Sequence, residues 1–96
     1  MVNDGDYVAI FNSIHRVMQA EKLLKGRRLS ILLIPAPRAL KSDCGLALRY
    51  RDADRAVVEG ALAVERLLPE EIYVKIEGKF VRCEGAEGKR LVTGFY

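Results

Sequence analysis

Two stretches with helical apolar spacing, each bracketed by apolar runs too short to be helices, leave this chain few folds to adopt. Residues 7–11 (Tyr-Val-Ala-Ile-Phe) are rich in strand formers and end at Asn12-Ser13, a pair suited to capping a helix. From there Ile14, Val17, Ala20 and Leu24 form one stripe, with Arg16, Gln19, Lys22 and Lys25 on the other side. Gly26 supplies the stop. Residues 29–34 are almost continuously apolar and are followed by Pro35 and Pro37, which cannot continue a helix, so they read as a second strand. A proline-stiffened loop then leads through Cys44-Gly45 into a third strand over residues 46–50. Asp52 is expected to cap a second helix, in which Ala53, Ala56, Val57, Gly60, Ala61, Val64 and Leu68 recur at three- and four-residue spacing, ending before Pro69. Residues 72–76 alternate as a half-buried fourth strand, and Glu77-Gly78-Lys79 can turn the chain into a further strand over 80–83. Beyond it Gly85, Gly88 and Gly94 suggest a loose tail.

The resulting order, strand-helix-strand twice over, predicts an α+β fold. It is the ferredoxin-like βαββαβ sandwich, an antiparallel sheet with two helices on one face, plus a short C-terminal strand or tail. Right-handed crossovers place the third strand between the first and second, antiparallel to both. With 96 residues the chain can build one core, so we expect a single domain over 1–96, with its core at 7–76 and an extension at 77–96. Half of the residues are apolar but only 7% are aromatic, without Trp, so Leu, Val, Ile and Ala must supply most of that core.

Several function classes are poorly served. No apolar run approaches the roughly 20 residues of a membrane span, and the first residues are acidic rather than basic, so neither a membrane segment nor a secretory signal is expected. Two cysteines without metal-ligand spacing, and one histidine, read as a cytoplasmic chain with reduced thiols and no metal. No Walker A or dinucleotide-type glycine pattern occurs, no carboxylate pair stands out, and Ser13 and Ser42 lack a base; no metal or organic cofactor is expected. The third strand, Leu46-Ala47-Leu48-Arg49-Tyr50, lacks the stacking aromatics of an RNA-recognition domain, and the formal charge is only +3, so nucleic acid is not an expected partner. Between Lys22 and Arg55, however, nine basic residues face three acidic ones. That excess gives the middle third a positive field, suited to an anionic substrate, to an acidic partner, or simply to solubility.

One segment can carry chemistry: Ser42-Asp43-Cys44-Gly45-Leu46-Ala47-Leu48-Arg49. In the expected topology the loop before the third strand shares a sheet end with the start of the first helix. Cys44 would then lie near Asn12, Ser13 and the positive end of that helix, with Arg38 or Lys41 nearby, all of which favour thiolate over thiol. Gly45 leaves room beside the sulfur. From spacing alone, Cys44 reads as a small buried hydrophobe sooner than as a nucleophile. His15, in the first turn, could act as a proton donor but lies off the apolar stripe. Cys83 could be a resolving thiol, a disulfide partner or incidental.

The run Tyr7-Val8-Ala9-Ile10-Phe11-Asn12-Ser13, the loop Ile34-Pro35-Ala36-Pro37-Arg38 and the motif Cys44-Gly45-Leu46-Ala47-Leu48-Arg49 resemble the selenium/sulfur carrier-like family of small bacterial proteins. The resemblance spans about residues 7–76; the segment from Lys79 onward looks like an extension. It implies a carrier rather than a turnover enzyme. Cys44 would accept sulfane sulfur or selenium, as a persulfide or perselenide, from a donor protein such as a cysteine desulfurase and pass it to an acceptor protein. Arg38, Lys41 and Arg49 would stabilise anionic sulfur, and Gly45 and Ser13 would complete the site. The competing expectation is a small-molecule-sensing or protein-interaction module of the same fold, a homo-oligomer whose paired domains bind an amino acid or metabolite at their interface, in which Cys44 is packing. A redox switch through Cys44 and Cys83 is a third.

Overall fold

The computed structural model describes residues 2–83; the expected glycine-rich tail at Gly85, Gly88 and Gly94 lies outside them. In chain order the elements are β1 (Tyr7–Ile10), α1 (Ile14–Gly26), β2 (Ile31–Pro35), β3 (Leu46–Tyr50), a 3-10 turn (Asp52–Asp54), α2 (Arg55–Val64), β4 (Glu71–Ile76) and β5 (Lys79–Cys83). The five strands form one sheet in the order β2-β3-β1-β4-β5, with every neighbouring pair antiparallel. The first four strands and two helices follow the order of a ferredoxin-like sandwich, as the sequence predicts, and β5 adds a hairpin to the β4 edge.

Alternation across β1 fills two cores, because its successive side chains point to opposite faces. Tyr7 and Ala9 join Val17, Ala20 and Leu24 of α1 and Val58, Ala61 and Leu62 of α2 in the larger cluster, which the helices cover. Val8 and Ile10 face the other way and pack with Ile34, Ala47 and Leu40. Leu40 comes from the proline loop, so that loop folds over the sheet face opposite the helices. Each fully buried aliphatic side chain of this kind contributes about 1.5–3 kcal/mol.

The helices differ from the sequence reading in three ways. The first is the N-terminus of α2. Asp52 opens a 3-10 turn without making a side-chain cap, and the α-helix starts at Arg55. The second is its phase. Val57 and Val64 are 55% and 74% exposed, whereas Val58, Glu59, Ala61 and Leu62 are buried, so the sheet-facing stripe lies beside the one that apolar spacing selects. The reason is Glu59, which occupies the buried face because it finds polar partners there. The third is how both helices stop. Arg28 (φ 62°) and Arg66 (φ 58°) take the left-handed conformation, and the following amides, Leu29 and Leu67, reach back to the carbonyls of Leu24 and Leu62. These are Schellman closures. Arginine, not Gly26, carries the left-handed position in α1, and α2 ends short of Leu68.

Candidate functional site

Cys44 is fixed at the end of the sheet by the turn that follows it. Gly45, at φ 75°, adopts the left-handed conformation that glycine takes without steric cost, and so swings the chain into β3. Its amide donates to the Ser42 hydroxyl at 3.1 Å, and its carbonyl accepts from the Ala36 amide at 3.0 Å, which ties the loop off beside Cys44. The β1–β3 ladder ends at Ile10↔Ala47. Just beyond, the Cys44 thiol donates to the carbonyl oxygens of Phe11 and Leu46 at 3.5 and 3.3 Å, and the Ser42 Oγ lies 3.7 Å from Sγ. The thiol therefore takes over where backbone amides leave off, and the two carbonyls keep a partner. Cys44 is half-buried, with one flank against the helix-side core.

The contact with Phe11 sets the sulfur one residue from Asn12 and two from Ser13, at the sheet end where the topology places it. Ser13 is the N-cap of α1, and its hydroxyl accepts from the Arg16 amide at 3.1 Å. His15 is exposed in the first turn. Beside the loop an open cleft of about 370 Å³ is lined by Ile10, Phe11 and Asn12, by Lys41, Ser42 and Asp43, and by Glu70 and Glu71.

The positive field expected over the middle third is not gathered at Cys44. Lys22 and Lys25 lie in the far half of α1, where a rise of about 1.5 Å per residue sets Lys25 roughly 18 Å along the axis from Ser13, and Arg27 and Arg28 follow its end. Two of them are paired, Lys25 with Glu21 and Arg27 with Glu65. Arg49 projects from the opposite sheet face and binds Asp6 at 3.1 Å. Arg55 is held beneath α2. Arg38 and Lys41 are exposed in the loop, and of these Lys41 lines the cleft.

A second polar cluster went unseen in the sequence. Glu59, buried under α2, accepts from Tyr50 Oη at 2.9 Å and from Arg55 Nε at 3.1 Å; Arg55 Nη1 also donates to Tyr7 Oη at 3.1 Å, and its guanidinium lies over the Tyr7 ring. Only the i,i+4 spacing of Arg55 and Glu59 hints at it in the sequence. Burial, and then the neighbouring Glu59 carboxylate, push the Tyr50 phenol well above its ordinary value. Burial likewise raises Tyr7, against the opposing pull of Arg55. Cys83 belongs to this side of the molecule. Its thiol is 2% exposed and raised by burial. β5, which carries it, is separated from β3 by β4 and β1, so about 14 Å of sheet divides the two strands at roughly 4.8 Å per step, and a Cys44–Cys83 disulfide within one chain is excluded.

Among the described residues no group of His, Cys, Asp and Glu side chains is arranged to hold a metal, and no helix is long and apolar enough to cross a membrane.

Fold and site together define a small α+β domain with a half-buried thiol at the end of its sheet, beside an open polar cleft. The chain belongs to the family described as Putative Se/S carrier protein-like, whose model matches residues 6–74. The matched segment includes Cys44 and stops before β5 and Cys83. No curated protein and no solved structure matches the chain.

Proposed function

We propose that the protein carries sulfur or selenium on Cys44. The observation that supports this best is the position of the thiol: inside the family-matched segment, half-buried rather than sealed, with Phe11 and Ser42 shared between its own contacts and the lining of the cleft. In the transfer step Cys44 loses its proton to solvent, and its thiolate attacks the terminal sulfur of a donor persulfide. The donor's S–S bond breaks as a new one forms on Cys44, and the donor leaves as a thiolate that takes up a proton. The same exchange, with an acceptor thiol as nucleophile, unloads it. Gly45 gives the second sulfur atom room, and Lys41, at the cleft wall, offers a cation to it. Arg38, exposed in the same loop, stands outside the cleft lining. Ser13 caps α1 at this sheet end, whereas Arg49, drawn toward Asp6 at the opposite end of β1, stands away from the sulfur.

Incubation with a cysteine desulfurase and cysteine, followed by intact mass measurement, tests the reading. A labile adduct of one sulfur atom is expected on wild type and not on Cys44→Ala; equal labelling of both overturns it. With a selenocysteine-cleaving donor the same measurement reports selenium.

A second reading, a sensing or interaction module with Cys44 as structure, is favoured by one observation, the two carbonyls that the thiol caps. Complete protection of Cys44 from iodoacetamide in the folded protein supports that module and opposes the carrier.

A further inference from the structure

We propose that the cleft beside Cys44 selects donors and acceptors by charge, favouring those that present a cation next to the reacting sulfur. Resting on Cys44 being the carrier thiol, this identifies the partner surface as one bordered by lysine or arginine, and disfavours free anionic sulfide or selenide as the immediate source.

Three carboxylates and one ammonium line the cleft: Asp43, Glu70 and Glu71 against Lys41. Glu70 is held in place at both ends. Its amide donates to the Ile10 carbonyl at 2.7 Å, and its carboxylate accepts from Asn12 Nδ2 at 3.2 Å. Glu71 accepts from Tyr73 Oη at 2.8 Å and is partly neutralised by Arg82 at 3.6 Å. Even with Glu71 set aside as paired, Asp43 and Glu70 outweigh Lys41. Arg38 stands in the same loop but outside the cleft lining. Lys22 and Lys25 lie about 14 and 18 Å along α1 from Ser13, well beyond one screening length of about 8 Å at physiological salt, and Arg16 in the first turn is drawn aside to the Arg66 carbonyl at 3.0 Å. A group entering this cleft therefore meets a lining that is net negative. The overall charge of +3 and the basic middle third of the chain predict the opposite.

Charged methanethiosulfonates read this selection directly, because the trimethylammonioethyl cation and the sulfonatoethyl anion share one leaving group. In both, the Cys44 thiolate attacks the sulfenyl sulfur, a mixed disulfide forms and methanesulfinate departs. Rates at Cys44 are followed by peptide mass, which separates it from Cys83, and each is divided by the rate of the same reagent with 2-mercaptoethanol. At about 0.15 M salt, where the distant cations are screened, the normalised cation-to-anion ratio should be about threefold, falling toward one near 1 M salt. Glu70→Gln, which keeps an acceptor for Asn12, and Asp43→Asn should each lower it, and together abolish it. A ratio at or below one in wild type, or an unchanged ratio in the double variant, overturns the charge selection and leaves the carrier standing. Labelling of Cys44 by neither reagent overturns both.

Discussion

Phe11 and Cys44 stand 33 positions apart in the chain, and the thiol of the second donates to the carbonyl of the first at 3.5 Å. With the matching contact to Leu46, this makes Cys44 a structural cap as well as the proposed carrier, and the two roles respond differently to substitution.

Cys44→Ala removes the donor to the Phe11 carbonyl and a flank of core packing, while the Leu46 carbonyl still accepts from Ser42 Oγ at 3.5 Å, and should cost about 1–2 kcal/mol. Cys44→Ser restores a donor and should recover part of that loss while remaining unable to hold a sulfur adduct. Urea midpoints of the two variants check the first claim, and intact masses after donor treatment check the second. Equal stability of both variants with wild type would remove the capping role.

At Gly45 the left-handed backbone, rather than crowding, sets the requirement, since an added Cβ would meet no atom within 4 Å. Gly45→Ala should lose about 1–2 kcal/mol, and Gly45→Asn less, because asparagine tolerates that conformation. A series in which Ala and Asn cost the same would point to some other role for the residue.

The network under α2 should be the most sensitive part of the fold. Glu59→Ala strands the half-buried Arg55 guanidinium and the buried Tyr50 hydroxyl, at a cost of about 3 kcal/mol, a large share of what a domain of this size possesses. Glu59→Gln keeps an acceptor and should lose less. Chemical denaturation of both variants tests the ranking.

Alkaline pH should loosen the protein. Cys83, Tyr7, Tyr50 and Tyr73 all have folded values raised by burial, so the folded state holds these protons more tightly than the unfolded chain does. Their contribution is full below the ordinary values and falls as pH rises, beginning near 9.0 for the thiol and near 10.0 for the phenols. Thermal melts from pH 8 to 11 should show a plateau and then a decline, with a shallower decline above pH 10 in Tyr50→Phe. A Tm that stays level throughout would contradict the assignment.

Much of this arrangement is legible in the chain itself, because most of its signals are local. The stripe Val17, Ala20, Leu24 turns inward as its spacing requires, while Ile14 at the open first turn remains exposed. The strand order follows from handedness, and it brings Cys44 to the end of β1. The phase of α2 was not legible from apolar spacing. Its inward face contains Glu59, and a carboxylate counts as inward only once Tyr50 and Arg55 are seen to meet it across the fold. The destination of the basic residues was hidden for the same reason. Arg49 and Arg55 are consumed by Asp6 and Glu59, partners that sequence distance does not announce, and Glu70 and Glu71 reach the cysteine end only through the β1–β4 pairing. Leu40 lies in the stretch that the prolines mark as a stiff loop; its burial reflects a second small core with Val8, Ile10, Ile34 and Ala47 on the helix-free face, which the loop's own spacing does not announce.

Leu40 and Cys44 straddle the rim of the sheet, the first sunk into the helix-free face and the second resting against the helix-covered one. A segment pinned on both sides like this has no swinging arm, unlike carriers that ferry a load at the tip of a long tether. A load held on Cys44, as proposed, stays at one address, and its hand-over becomes a matter of successive visitors fitting the same dock.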